Sequence, residues 1–467
     1  MRKAAIALAC ACLFSAGCTV GPNYQRPKVN VPATYGGQTA NAPAKPSAES
    51  LGNEKWWDVF HDPVLQQLIR TALQDNYDVR IAATRVLQAQ DQLAITRSNE
   101  FPVVNAGANL LRERNPKINS FFPTYQLHTA ELDLSVVWNL DFWGKYRRET
   151  EASRASLLGT EWGQRAVINS VVSSVATAYF QLRELDLALE TSQHTLASRQ
   201  DSLRLTEVLT KYGSASMLDL RQAQELVDTA AESIPDFERQ IQQQEDLLSD
   251  LLGENPGPIP RGLKLTEEPL PPSVPPGLPS ELLERRADIR EAEANLMAAN
   301  ADIGVAKADF FPNIPLTATG GLESYALDRF FSLAKAGLYN VSLGATATIF
   351  QAGALRAGLK LSEAQEQQML LAYQQSIKEA LREVSDALIA YQKDREFLER
   401  QQSLTDEAAD ADHLSDVLYR HGGASYLQVL TSETNHFAAE LNLAQAQLNE
   451  RLALVQLYNA LGGGWQH

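Results

Sequence analysis

Cys10, Cys12 and Cys18 are the only thiols of the chain, and all three lie within its first eighteen residues. Arg2 and Lys3 precede an apolar run from Ala4 to Phe14, and Ser15-Ala16-Gly17-Cys18 follows it. That order is the layout of a secretory signal cut just before a cysteine, which leaves a thiol and a new amine open to acylation. The run is too short to anchor the chain by spanning a bilayer. Cys18 is therefore predicted to become the N-terminal residue, acylated at sulfur and amine, and Thr19 beside it, in place of aspartate, points to onward export to an outer membrane. With Cys10 and Cys12 ahead of the cut, the mature chain keeps one thiol and no disulfide framework.

No second constellation offers chemistry. The seven histidines (His61, His128, His194, His413, His421, His436, His467) are scattered, and there is no phosphate loop, zinc-type His-x-x-x-His pair or serine nucleophile motif. The expectation is a chain that is no enzyme and holds no metal or cofactor. The formal net charge of −16 becomes −18 when Arg2 and Lys3 leave with the signal, which disfavours nucleic acid and anionic lipid surfaces as partners.

The remaining polar candidates sit in one stretch. From Leu132 to Gly144 apolar and polar residues alternate, with Leu132, Leu134, Val136, Trp138, Leu140 and Phe142 on one face of a strand and Asp133, Ser135, Asn139 and Asp141 on the other. The pattern returns 209 residues later, where Val341, Leu343, Ala345, Ala347 and Ile349 keep the phase and Gly353 matches Gly144. Phe101-Pro102 and Phe311-Pro312 introduce two more alternating runs, so each copy carries a strand hairpin, with polar loops at Arg112 to His128 and Glu323 to Gly337. The chain is a tandem repeat.

Other elements follow in order. Asp62 and Pro63 supply the cap and first turn of a helix running to about Ser98, and the preceding Trp56-Trp57 pair is read as packing. Beyond Lys145, Ile168, Val175, Leu182, Leu189, Leu196 and Leu203 recur every seven residues, and Ile377, Val384, Tyr391 and Leu398 repeat that register, which indicates coiled-coil seams. A helix from Lys145 to about Thr210 is ~100 Å long at ~1.5 Å per residue. Gly213 and Gly422-Gly423 break the long helices at hairpin tips, from which helices return over Met217 to about Ile234 and Tyr426 to about Leu461.

The expected organisation is a signal over 1–17, an extended leader over 18–62, and a first repeat over 63–255 with strand hairpin 103–142 and helical hairpin 144–251. A linker with nine prolines covers 256–279. A second repeat over 280–461 has strand hairpin 313–350 and helical hairpin 353–461, and 462–467 form a tail. No stretch after the signal could cross a membrane as a helix. Strands in lipid must close a barrel, which four cannot do alone, so copies must combine. A soluble sandwich or a periplasmic coiled-coil structural lipoprotein is the alternative on pattern alone.

Several motifs together resemble the TolC-like outer-membrane factor family, in its lipoprotein branch. They are Gly17-Cys18-Thr-Val-Gly-Pro-Asn-Tyr-Gln-Arg-Pro27, Trp56-Trp57 with Asp62-Pro63, Leu251-Leu-Gly-Glu-Asn-Pro-Gly257, Leu278-Pro-Ser-Glu-Leu-Leu-Glu-Arg-Arg286 with Asp288-Ile289-Arg290, Ala306-Lys-Ala-Asp-Phe-Phe-Pro312, and Leu461-Gly-Gly-Gly-Trp465. Ala287 departs from the family's usual proline, and Ser15 from the usual leucine.

The resemblance implies an α+β membrane protein. Its homotrimer would form a twelve-stranded outer-membrane β-barrel, four strands per chain, continued by a long periplasmic α-helical coiled-coil barrel. It would be a passive exit duct for small molecules in a tripartite efflux system of a Gram-negative cell, with a periplasmic adaptor and an inner-membrane transporter as partners and outer-membrane lipid around it. The alternative is a duct for type I protein secretion. By the same resemblance, Asp219 and Tyr419 match the latch carboxylate and tyrosine of the family's periplasmic gate, and Leu427 an inner apolar constriction. Gln428 and Thr431 replace carboxylates that some members carry. Asp133, Asn139 and Asp141 would face the lumen.

Overall fold

The computed structural model describes residues 19–36, 50–114, 126–267, 275, 277–325 and 330–463. Cys18, the signal and the end of the tail lie outside them. The main elements are α1 (Pro63–Asp75), α2 (Tyr77–Ser98), β1 (Val103–Arg114), β2 (Gln126–Asn139), α3 (Lys145–Lys211), α4 (Met217–Leu252), α5 (Ala287–Ala308), β3 (Pro315–Ser324), β4 (Gly337–Leu343), α6 (Ala354–Arg420) and α7 (Tyr426–Ala460). No described helix is long and apolar enough to cross a membrane.

The chain divides into two compact units that cut across the sequence repeat. One comprises residues 1–28, 86–160 and 291–373, the other 29–85, 161–290 and 374–467.

The first unit holds the sheet, an antiparallel meander in the order β1-β2-β3-β4. β2 joins the copies, pairing Leu132 with Ala108 on one side and with Leu322 on the other. The strands outrun the expected loops: β1 continues to Arg114 and β2 starts at Gln126. At the opposite end they stop early. β4 ends at Leu343, and beyond it only an isolated bridge from Asn313 to Thr346 remains. Ala345, Ala347 and Ile349, expected on the strand, are therefore outside it. Alternation continues in the sequence there, but Pro315, opposite Gly344, has no N–H to give, so the regular ladder stops at that step.

In the second unit Trp56, Phe60, Leu65, Ile69, Val172, Tyr179, Leu248 and Tyr458 form part of one buried core. The Trp pair does pack: Trp56 is 2 % exposed. Asp62 is fully buried and caps α1 by accepting from the Val64 N–H at 2.7 Å. It also accepts from the Tyr179 hydroxyl at 2.7 Å and the Leu263 N–H at 2.9 Å, tying α1 to α3 and the linker. A Cβ on Gly262 would meet the Asp62 carboxylate at 2.1 Å.

Two helix boundaries differ from the pattern. The helix expected from Pro63 to Ser98 breaks at Asn76, whose side chain accepts from the Asp78 N–H and donates to the Leu251 carbonyl, so the break is a capped corner. The helix returning from the first tip continues through Pro235 to Leu252. A proline removes one backbone bond, here the one to the Ala231 carbonyl, and the helix runs on past that single loss.

Candidate functional site: a two-faced wall and a pair of polar tips

Register across the four strands sorts the wall into two faces. Val104, Val136, Ala318 and Val341 align across the sheet, as do Ala106, Leu134, Gly320 and Tyr339. Leu110, Leu132, Trp138 and Leu343 share that face, and it is exposed in the single chain: Leu110 is 81 % and Val341 69 % exposed. The other face carries Asn105, Gly107 and Asn109 on β1, Glu131, Asp133, Ser135 and Asn139 on β2, Thr317 and Thr319 on β3, and Asn340 and Ser342 on β4. A Cβ on Gly107 would meet the Asp133 carboxylate at 2.4 Å, so this glycine leaves room for that acid.

Asp133 and Asn139 thus lie on the wet face. Asp141, expected beside them, does not, because β2 ends at Asn139. The Leu140 N–H makes a last bond to the Ile314 carbonyl, and Asp141 lies in the turn, where it accepts from the Arg147 backbone N–H at 3.0 Å and pairs with its guanidinium. It is a carboxylate at the start of α3, where the helix dipole favours negative charge.

That turn is also where the chain after Cys18 is held. The Val20 N–H donates to the Trp143 carbonyl at 3.0 Å, and Thr19 packs against Gly144, whose φ of +78° suits glycine. Gly21 lies so close to Gly304 that a Cβ would stand 2.5 Å from its Cα. Arg148, 3 % exposed at its side chain, donates to the Val20 carbonyl and, at 2.8 Å, to the Asn23 side chain. Arg148 went unnoticed in the sequence because nothing local marks an arginine as buried.

The tips lie in the second unit and echo each other. Ser216 and Asp219 form a capping box at the start of α4, and Ser425 and Gln428 form one at the start of α7. The Asp219 carboxylate accepts from the Ser216 N–H at 2.8 Å. Tyr419 packs on Tyr426, ring centroids 5.4 Å apart, in a small apolar cluster with Ala223 and Val429. Burial raises the Tyr419 phenol, and the nearby Asp219 charge raises it further. Leu427 is exposed.

Between the tips and the core the seams change character. Ile168, Val175 and Leu182 are buried along α3, flanked at the next seam position by buried Val171 and Ala178. Toward the tip that second position becomes Ser192, Arg199 and Thr206, all buried. On α6, Ile377, Val384 and Tyr391 give way to buried Gln401, Thr405 and Ser415. Arg199 donates to the Leu226 carbonyl at 2.9 Å and lies over the Phe437 ring. Glu433 accepts from the Ser202 hydroxyl at 3.3 Å. Burial raises its carboxyl and the Asp412 charge adds to this, partly offset by Arg199. His436 contacts Asp412 at 3.1 Å. Reading a second heptad, at 192, 199 and 206, beside the apolar one would have found this polar seam.

Among the described residues no group of histidine, cysteine and carboxylate side chains could hold a metal ion. The family model described as outer membrane efflux protein matches residues 68–254 and 278–463. The chain is 35% identical to the antibiotic efflux pump outer membrane protein ArpC of Pseudomonas putida, over 100% of this chain and 96% of that protein. It is 33% identical to the cation efflux system protein CusC of Escherichia coli K12, over 97% of this chain and 98% of that one. The open-state MtrE outer membrane channel of Neisseria gonorrhoeae superposes with a TM-score of 0.87 at 29% identity, covering 96% of this chain and 99% of its own.

Proposed function

We propose, because this chain belongs to the outer membrane efflux protein family, that it is a lipid-anchored, passive duct for small molecules, closed at its tips by a gate of Asp219, Tyr419 and Leu427. The chain is an outer-membrane efflux channel and not an enzyme. Its fold is that of the TolC-like trimers, in which each chain gives four strands to a twelve-stranded barrel that continues as a helical barrel. Such channels act with an adaptor and an inner-membrane transporter and extend from the outer membrane into the periplasm.

The observation that carries the reading is the sheet with two unlike faces and two open edges. In lipid the unpaired ladders of β1 and β4 would each leave backbone groups unsatisfied, and joining copies edge to edge removes both. The apolar face, with Leu132, Val136, Val341 and Leu343, then meets lipid, and Asp133 and Asn139 line a water-filled lumen. Relatives named for antibiotics and for cations are similar over their whole lengths, so this lumen is a general aqueous passage whose cargo is chosen by the pump. Purified protein in planar bilayers is expected to give trimer-sized conducting units. A monomer, or a trimer that conducts neither as wild type nor after the tip substitutions below, would overturn this.

Thr19 supports the anchor. Thr19, the residue next to Cys18 in the chain, packs on Gly144 at the strand-to-helix turn, a position from which acyl chains on its neighbour would reach the bilayer beside the barrel. Intact mass is expected to show Cys18 as the N-terminus with three acyl chains. An unmodified N-terminus at any other residue would defeat the proposal.

At the tips, a seam of serine, arginine, threonine and glutamine holds helices in register at a cost in stability, which suits a mouth that must open. Asp219→Ala with Tyr419→Phe is expected to raise single-channel conductance. Gln428→Ala, which spoils the matching cap on the other tip, serves as control for simple fraying. Equal conductance in wild type and a correctly assembled double variant would assign closure to the seam and Leu427.

A further inference from the structure

We propose that the outer end of β1 and β2 carries, on the membrane-facing surface, a binding site for the phosphate-bearing headgroup of an outer-leaflet lipid, held by Arg112, Arg114 and His128. The inference rests on the proposed assignment of the apolar sheet face to lipid.

Arg112 stands directly opposite His128 in the register, in the column that continues Leu110 opposite Ala130. Arg114 follows two residues on, on the same face. All three side chains are exposed. The acids of the sheet take the other face: Glu113 and Asp133 do so by alternation with these columns, and Glu131 is paired with Glu323. Charge is thus sorted by face at this end, bases with the apolar residues and acids with the wet ones, so the net negative charge that disfavours anionic lipid surfaces for the whole chain does not describe this patch. Arg112 and Arg114 stand two residues apart on one face beside His128, and among the described residues no carboxylate shares that face of the sheet. An external anion suits that patch.

The depth fits a lipid phosphate. On β2 the apolar face runs from Trp138 to Ala130, and His128 comes next. That run roughly matches the ~9–11 residues a tilted strand needs to cross the hydrocarbon, so the basic groups begin where headgroups begin. The helices leave from the other end of the strands, which makes this the outer end. A shallow cleft of about 180 Å³ is lined there by Leu110, Arg112, His128, Ala130 and Ser324 of this face, together with Leu111, Thr129 and Tyr325. Its apolar floor suits the first acyl carbons, and its guanidinium suits bidentate contact with phosphate oxygens.

The test uses the full-length trimer in phosphatidylethanolamine nanodiscs doped with bis-phosphorylated lipid A, with bound lipid read by native mass spectrometry. Wild type should retain lipid A, and Arg112→Ser/Arg114→Ser/His128→Asn should lower its affinity roughly thirtyfold, the factor expected of two basic residues at an anionic lipid surface. Arg112→Ser alone should give a smaller loss in the same direction, and Glu113→Gln/Glu131→Gln on the wet face should give none. Dephosphorylated lipid A should not be retained. Equal retention by wild type and the triple variant would overturn the site, and displacement by millimolar inorganic phosphate would overturn the lipid as its occupant. Quenching of probes at Leu110→Cys and Leu111→Cys by spin-labelled lipid separates the two readings. Quenching at 111 alone overturns the face assignment itself. Quenching at 110 alone, with lipid A retention unchanged in the triple variant, overturns only the site.

Discussion

Asp62→Ala is expected to destabilise the folded subunit by about 3–5 kcal/mol, more than any other single polar replacement described above. The change removes the cap of α1, worth about 1 kcal/mol, and strips a buried acceptor from two further donors, the Tyr179 hydroxyl and the Leu263 N–H. Each buried donor left without a partner costs about 1–3 kcal/mol. Water cannot substitute readily, because Asp62 is fully buried and Gly262 closes over it. Asp62→Asn keeps one acceptor oxygen and should lose less than half as much. Gly262→Ala should mimic the alanine variant by pushing its methyl into the carboxylate. Thermal melting of the purified trimer, followed by loss of the heat-resistant band on gels, checks the series. A melting curve for Asp62→Ala that overlays wild type would show that the three bonds carry no net stability.

The second large effect concerns the wall. Leu134→Arg should cost about 2–4 kcal/mol, the price of a cation near the bilayer midplane on a lipid-facing strand. Leu134 lies near the middle of the apolar face, opposite Ala106 and Gly320. Val136→Arg, two residues nearer the helices, should cost less, because the penalty falls toward the interfaces. Ser135→Arg and Asn139→Arg, on the wet face, should cost little. Trimer yield in outer membranes and urea stability of folded protein report the order. Equal losses at 134 and 135 would mean that the two faces are not the lipid and lumen surfaces.

How much of this was legible in the sequence depends on how local the cause is. The duplication could be read from matched glycines, and the structure gives Gly144 and Gly353 positive φ of +78° and +85° at the two helix starts. Matched capping boxes at Ser216 and Ser425 follow from the same offset. The two faces of β2 were visible because a period of two survives any tertiary context. Strand ends were not, since they depend on where the partner stops: Asp141 looks like the next wet residue after Asn139 until Ile314 proves to be the last acceptor. Pro235 misled because one missing bond costs a 36-residue helix less than its packed face returns, so the helix continues through it. Asp62 was readable as a cap, but its partners at 179 and 263 are 117 and 201 residues away, and no local pattern announces them.

The pairing of β2 with β3 sets an order of events during maturation. β1 and β2 are joined by a short connection and can pair within ~1–10 μs, as hairpins do. The other edge of β2 must wait for Pro315–Ser324, since Asn139 pairs with Pro315 and the intervening chain holds α3, α4 and α5. Non-local pairing of this kind is slow and leaves strand edges exposed while it waits. A newly exported chain therefore passes through a stage in which a greasy hairpin has an uncovered edge in aqueous surroundings, with neither its second half nor its sister copies in place. An uncovered edge of this kind pairs with whatever strand it meets first, so assembly is exposed to mispairing from export until β3 arrives.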